Sequence, residues 1–213
     1  MLTYLDGPAR IELSGSTVAN WVAKTANLLT DLYDAPRVGL LLPLHWQTVC
    51  LLLGGVAAGS TVVVAATPEE LTGCAVAFVA AHQASAALDA GVDDVLACSL
   101  TPFATPVGEL PPMVLDAAVE LPGHGDHFGG RPTASRIELG GQPFTAPALD
   151  LGAGDRVLTA LAPATSEGLG ALLGVLATGA ALILLRAGDR ELALAQESAS
   201  AWVDETGLHR CGG

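Results

Sequence analysis

Lysine is almost absent from this 213-residue chain: Lys24 stands alone, and the other eight cations are arginines. Any chemistry that needs a lysine ammonium must therefore use Lys24. Cations of both kinds number nine against 22 acidic residues, for a net charge of −13. That balance repels phosphate backbones and anionic bilayers, which excludes nucleic acid and a membrane surface as expected partners. Aromatics make up 4%, and no RNA-binding signature accompanies them. The four cysteines, Cys50, Cys74, Cys98 and Cys211, contain no CxxC pair. Three lie in apolar surroundings, where a thiol packs as a small hydrophobe, so a reducing cytoplasmic location is expected. The N-terminus, MLTYLDGPARIEL, has no basic n-region and no long apolar core, so it does not read as a signal peptide. There is no GxSxG elbow, no Walker loop and no complete GxGxxG.

What is present is a repeat in a chain that is 51% hydrophobic. Residues 37–66 read RVGLLLPLHWQTVCLLLGGVAAGSTVVVAA, and residues 156–185 read RVLTALAPATSEGLGALLGVLATGAALILL. Pro43, Gly54 and Gly59 recur as Pro163, Gly174 and Gly179, each shifted by 120 positions. Each copy predicts strand, proline break, helix, glycine stop, strand. Residues 168–185 are long and apolar enough to test as a membrane span. The first copy has the same plan with a polar segment in it, however, and buried parallel strands also read as unbroken Val/Ile/Leu runs.

Around the repeat, 14–17 (SGST) precedes a helical apolar stripe at Val18, Trp21, Val22, Thr25, Leu28, Leu29 and Leu32. Strands are expected at 38–42, 61–65, 75–80 and 95–99, with helices at 45–58 and 82–90. Eight of the 13 prolines fall between 102 and 147, where only 113–121 and 135–139 look strand-like. A final helix is expected over 190–203. The fold class is α/β: a layered, mostly parallel sheet with helices on both faces. The expected organisation is one domain over 1–213. It has a first lobe to about 100, an irregular connection over 101–150, the second repeat unit over 151–203 and a frayed tail at 204–213.

Three groups carry potential chemistry. His45-Trp46, just past a strand end, could line a pocket, as could Thr165 and Ser166 at the equivalent place in the second copy. The competing reading is that Trp46 packs in the core and His45 caps the turn. Glu167 beside Ser166 is a poor neighbour for phosphate. His124, Asp126 and His127 offer two imidazoles and a carboxylate to a metal, but with no fourth ligand evident the preferred reading is a polar, glycine-rich surface loop that happens to hold histidines. No resident cofactor or metal is expected.

The stretches ANWVAKTANLL (19–29), 37–70 and GDRVLTALAPATSEGLGALLGVLATGAALILL (154–185) resemble the N-terminal region of adenylate-forming enzymes, the acyl-CoA synthetases and their relatives. The chain as a whole is most similar to short actinobacterial relatives of that family. The resemblance implies their N-terminal fold. It also implies a Ser/Thr- and Gly-rich phosphate loop ending in Pro-Lys-Gly between the two copies, but the chain there reads HGDHFGGRPTASRIELGGQPFTAP, with no lysine. Where the family often has a histidine, three residues after the proline of the second copy, Ser166 stands. The family's later ribose and adenine motifs and its catalytic lysine find no match either. Adenylation is therefore not expected. The expectation is a non-enzymatic ligand-binding or protein-interaction module, with self-association as one form of partnership. The alternatives are a nucleotide- or acyl-ligand-binding enzyme with an altered site, and a metal-dependent hydrolase at His124, Asp126 and His127.

Overall fold

A computed structural model describes residues 1–34, 37–130 and 135–211. In chain order the elements are β1 (Leu2–Asp6), β2 (Ala9–Leu13), α1 (Gly15–Tyr33), β3 (Arg37–Leu41), α2 (Trp46–Ala58), β4 (Thr61–Val64) and β5 (Val76–Ala80). They continue with α3 (Ala84–Asp89), β6 (Asp94–Cys98), β7 (Val114–Asp116), α4 (Ala117–Glu120), β8 (Arg136–Leu139) and β9 (Gln142–Pro143). The last are β10 (Arg156–Thr159), α5 (Ser166–Ala177), β11 (Ala181–Ala187), α6 (Arg190–Gln196), β12 (Ala201–Asp204) and β13 (Gly207–Arg210). The architecture is α/β, with two mostly parallel sheets ordered β7-β6-β5-β3-β4-β8-β9 and β13-β12-β10-β11-β1-β2.

Both copies of the repeat fold as the sequence predicts, one in each sheet. β3 and β4 pair in parallel with Arg37 opposite Thr61, and β10 and β11 with Arg156 opposite Ala181. Gly59 and Gly179 end their helices with φ of +81° and +77°, a left-handed turn that glycine adopts without a Cβ penalty. The shared glycine inside each helix is a close-packing point. A Cβ on Gly54 would run into the side chain of Thr25, and one on Gly174 would come within 2.9 Å of the Leu149 side chain. Each strand-opening arginine also finds a carboxylate, Arg37 to Glu138 at 2.6 Å and Arg156 to Glu197 at 3.1 Å.

The chain divides into two compact units, Ser16–Pro43 with Gln47–Phe144 around the seven-stranded sheet, and Met1–Gly15, Leu44–Trp46 and Thr145–Gly213 around the six-stranded one. In the first, Leu41, Val79, Val95 and Ala97 pack with Ala84 and Ala87 of α3. α2 is apolar all round and almost wholly buried, as a helix without a polar face must be. In the second, Leu158, Ile183 and Leu185 pack against Ala193 and Leu194 of α6. The four-residue buried run of β11 marks a strand covered on both faces.

Several expectations need correction. The window 168–185 is not a span: it divides into α5 and β11, and among the described residues no helix is long and apolar enough to cross a membrane. The helix expected over 190–203 stops at Gln196, where Ser198 takes a left-handed φ of +49° and the chain turns into β12. The fraying expected over 204–213 does not hold for 204–210, because β13 pairs with β12 from Ala201–Arg210 to Asp204–Gly207. At the other end, β1 and β2 form a hairpin that periodicity did not mark, with β1 pairing in parallel with β11. Leu32, expected on the buried stripe of α1, is 59% exposed, and Ala23 and Ala26 are buried instead.

Candidate functional site

In the unit built on the six-stranded sheet, β10 ends at Thr159 and the chain turns through Pro163 into α5. Thr165 is the N-cap of that helix: its Oγ1 accepts from the Gly168 N–H at 3.0 Å and donates to the Ala162 carbonyl at 2.9 Å. This tight entry is possible only because residue 168 has no side chain, since a Cβ there would strike the Ala162 carbonyl oxygen. Ser166 and Glu167 are thereby held in the exposed first turn. Nearby, β12 runs out to Asp204 and turns back through Glu205 and Thr206 into β13. Asp204 Oδ1 fixes the turn, accepting from the Thr206 N–H at 2.9 Å and the Thr206 hydroxyl at 2.7 Å, with His209 Nε2 at 2.9 Å. Those contacts, the Thr206 hydroxyl foremost, hold the Asp204 carboxyl well below the usual carboxylate range.

Between α5 and this hairpin lies a cleft of about 250 Å³. Its floor is apolar, from Leu149, Gly170, Ala171, Val203 and Leu208, and Ser166, Glu167, Glu205 and Thr206 form its polar rim. A second cleft of about 230 Å³ shares Val203, Asp204 and Glu205 with it and is walled by Arg190 and Trp202. Trp202 stacks on His209 at 4.9 Å between ring centroids, and the Arg190 guanidinium lies 5.6 Å from the indole. Both clefts open where β10 and β12 end, the side on which ligands gather in open α/β sheets.

The residues singled out in the sequence fall in different places. Ser166 lines the first cleft, and Thr165 beside it is occupied as a helix cap. His45 and Trp46 are buried, at 0% and 3% exposure, and the His45 ring packs edge-on against Tyr4 with centroids 4.5 Å apart. His124, Asp126 and His127 do not assemble a metal site: among the described residues no group of three His, Cys, Asp or Glu side chains stands close enough to hold one. The loop instead closes on α1. Lys24 Nζ donates to the His124 carbonyl at 2.7 Å and the Pro122 carbonyl at 3.4 Å, and pairs with Asp126 at 2.7 Å. Asn27 Nδ2 donates to the carbonyls of Gly125 and His127 at 2.9 and 3.0 Å.

Asp204, Glu205 and Thr206 are the residues that sequence reasoning missed, because 204–213 read as a tail. The signal was there in AWVDETGLHR: an apolar–polar stretch, a Gly-containing turn and a second short stretch make a hairpin pattern.

No protein-family model matches the chain. A TIGR03089 family protein of Mycobacterium tuberculosis is 38% identical over 196 residues, covering 85% of this chain and 81% of that protein. The chain belongs to the TIGR03089 family. Solved structures show what fold this member has. An acyl-CoA synthetase of Brucella canis superposes with a TM-score of 0.73 at 18% identity, over 94% of this chain and 43% of its own. ATP-bound MatB of Rhodopseudomonas palustris gives 0.67 at 16%, over 94% and 45%. The N-terminal domain of FACL13 of Mycobacterium tuberculosis gives 0.64 at 19%, over 94% and 57%. The fold is that of the N-terminal region of adenylate-forming acyl-CoA synthetases, and the chain spans less than half the length of the first two.

Proposed function

We propose that this TIGR03089 family member is a cytoplasmic module that uses a synthetase N-terminal scaffold to bind a small molecule without adenylating it, in the cleft between α5 and the β12–β13 hairpin. The observation that carries the reading is the polarity of the loop over 122–127, between the repeat copies. A phosphate cradle turns backbone N–H groups inward and adds a lysine. Here the carbonyls of Pro122, His124, Gly125 and His127 turn toward Lys24 and Asn27, and the chain's one lysine is already engaged by Asp126. The segment is thereby built around a cation of its own chain. The cytoplasmic placement is supported by four free cysteines, three of them buried.

Thermal unfolding with ATP, AMP, CoA and a non-hydrolysable acyl-adenylate analogue tests the reading. A ligand at 100 times its Kd adds about 2.7 kcal/mol to the stability of the state it binds. A flat response across this panel is expected, and a saturable rise in Tm with any nucleotide would return the chain to the nucleotide-binding enzymes.

One observation favours a protein partner as a second role. In the unit around the seven-stranded sheet, Phe103, Met113, Leu115 and Val119 are 78%, 81%, 37% and 58% exposed, the last three on or beside the edge strand β7 and α4. Clustered apolar exposure of this kind marks interaction surfaces. Self-association is the form tested by sedimentation velocity, where a concentration-independent monomer would remove it.

A further inference from the structure

The cleft beside α5 carries more information than its position. Among the described residues its lining contains Glu167, Asp204 and Glu205 but no lysine, arginine or histidine. Asp204 is engaged within its own turn. Glu167 and Glu205 are not: both are exposed, and among the described residues neither side chain makes a hydrogen bond or ion pair. Arg190, the cation of the adjoining cleft, already pairs with Glu191 at 3.2 Å and lies 3.9 Å from Asp204. The positive end of α5 is also offset from within, since the Gly168 N–H is taken by Thr165 and Glu167 sits in the first turn. The site therefore combines an apolar floor, built partly on the bare helix face at Gly170 and Ala171, with two uncommitted carboxylates at its mouth.

We infer that the ligand is a small molecule with an apolar body and a cationic head, an alkyl- or arylalkyl-ammonium, whose body lies on Leu149, Ala171 and Val203 and whose head meets Glu167 and Glu205. The inference rests on the cleft being the ligand site, as proposed above. A carboxylate or phosphate ligand would bring its charge against two carboxylates with no compensating cation in the lining, in a chain of net charge −13. At about 250 Å³ the cleft falls below the roughly 300 Å³ at which drug-sized pockets begin, so the ligand is short.

The test uses three probes of one chain length, hexylamine, hexanol and hexanoate, titrated into ¹⁵N-labelled full chain and followed by amide shifts. All three should perturb the 166–171 and 203–208 amides. Hexylamine should bind roughly tenfold more tightly than hexanoate, the combined effect of two exposed charge contacts, and salt should erode the difference. In the Glu167→Gln/Glu205→Gln double variant, whose two side chains are exposed and make no hydrogen bond or ion pair among the described residues, the amine preference should vanish while hexanol binding stays. If hexanoate binds these amides as tightly as hexylamine, or the preference survives in the double variant, the cationic-ligand inference fails and the cleft remains a ligand site. If no probe shifts these amides, the cleft reading itself fails.

Discussion

Lys24 Nζ and the His124 carbonyl oxygen meet at 2.7 Å, joining α1 to a loop 100 residues further along the chain. The Asp126 carboxylate, at 2.7 Å, completes the grip on the same ammonium. Lys24→Met keeps the stem packed and removes the donors. It should cost about 1–2 kcal/mol, less than a buried charged hydrogen bond because Asp126 is largely exposed. Amide exchange over 124–128 should accelerate well beyond the global change. Unaltered protection there would mean that Asn27 alone holds the loop.

Glu197 stands between two arginines, accepting from Arg10 Nε at 2.6 Å and Arg156 Nη2 at 3.1 Å, with its side chain 5% exposed. Glu197→Ala leaves both guanidinium groups facing a void and should cost about 3 kcal/mol, the low end for breaking a buried pair because Arg10 still reaches solvent. The hydrogen bond from Arg10 holds the Glu197 carboxyl below its ordinary value of 4.5. Its contribution is therefore complete above that value and is lost as pH falls through the lower folded-state pKa. Asp155 and Asp204 are depressed as well, so urea midpoints should be flat from neutral pH to about 4.5 and fall below it. The fall should be shallower in Glu197→Gln, and an equally steep fall would remove Glu197 from the account.

Burial pushes the Cys50 and Cys98 thiols up to about 12 and raises that of Cys74. Cys211, partly exposed near the C-terminus, is the remaining thiol. At pH 8, Ellman's reagent should therefore label one cysteine per chain quickly and the other three only on unfolding. Peptide mapping that placed the fast label on Cys50, Cys74 or Cys98 would contradict the buried packing.

The parallel core was legible because its signal is local. Pro43 and Pro163 stop strands, Gly59 and Gly179 stop helices, and the apolar runs between them can fold in few ways. The division into two sheets was not legible, since identical strand–helix–strand units carry nothing that says which strand each will pair with. The β1–β2 hairpin escaped notice because β1 takes its burial from β11, some 180 residues away. Ser166 could be placed at a strand's end from the sequence alone, whereas Glu205 could not, because a short turn between two four-residue strands looks like a polar tail until the pairing is known. His124, Asp126 and His127 show a related limit: sequence shows donor types, but not that the loop's carbonyls are directed at Lys24.

The helix glycines give the most direct test of the packing. Alanine in a helix interior is worth up to about 1 kcal/mol over glycine, so any loss on Gly→Ala measures the crowding. At Gly168 the new Cβ would strike a main-chain oxygen, that of Ala162, which is also bound to the Thr165 cap, so neither can move without loosening the other. At Gly54 the obstacle is Thr25 Cβ itself, on a helix residue whose hydroxyl is tied to the Trp21 carbonyl at 2.9 Å. At Gly174 it is Leu149, whose Cγ and Cδ1 both lie at 2.9 Å, with the Pro147 carbonyl at 3.1 Å behind it; Leu149 is half-buried in a connecting segment and can shift as a whole. The expected order of cost is Gly168→Ala at about 3 kcal/mol, Gly54→Ala at about 1–2 kcal/mol and Gly174→Ala near zero. Urea unfolding of the three variants measures it. A Gly54→Ala protein as stable as the parent would mean that α1 and α2 are not pressed together at Thr25, and that the glycine shared by the two copies does different work in each.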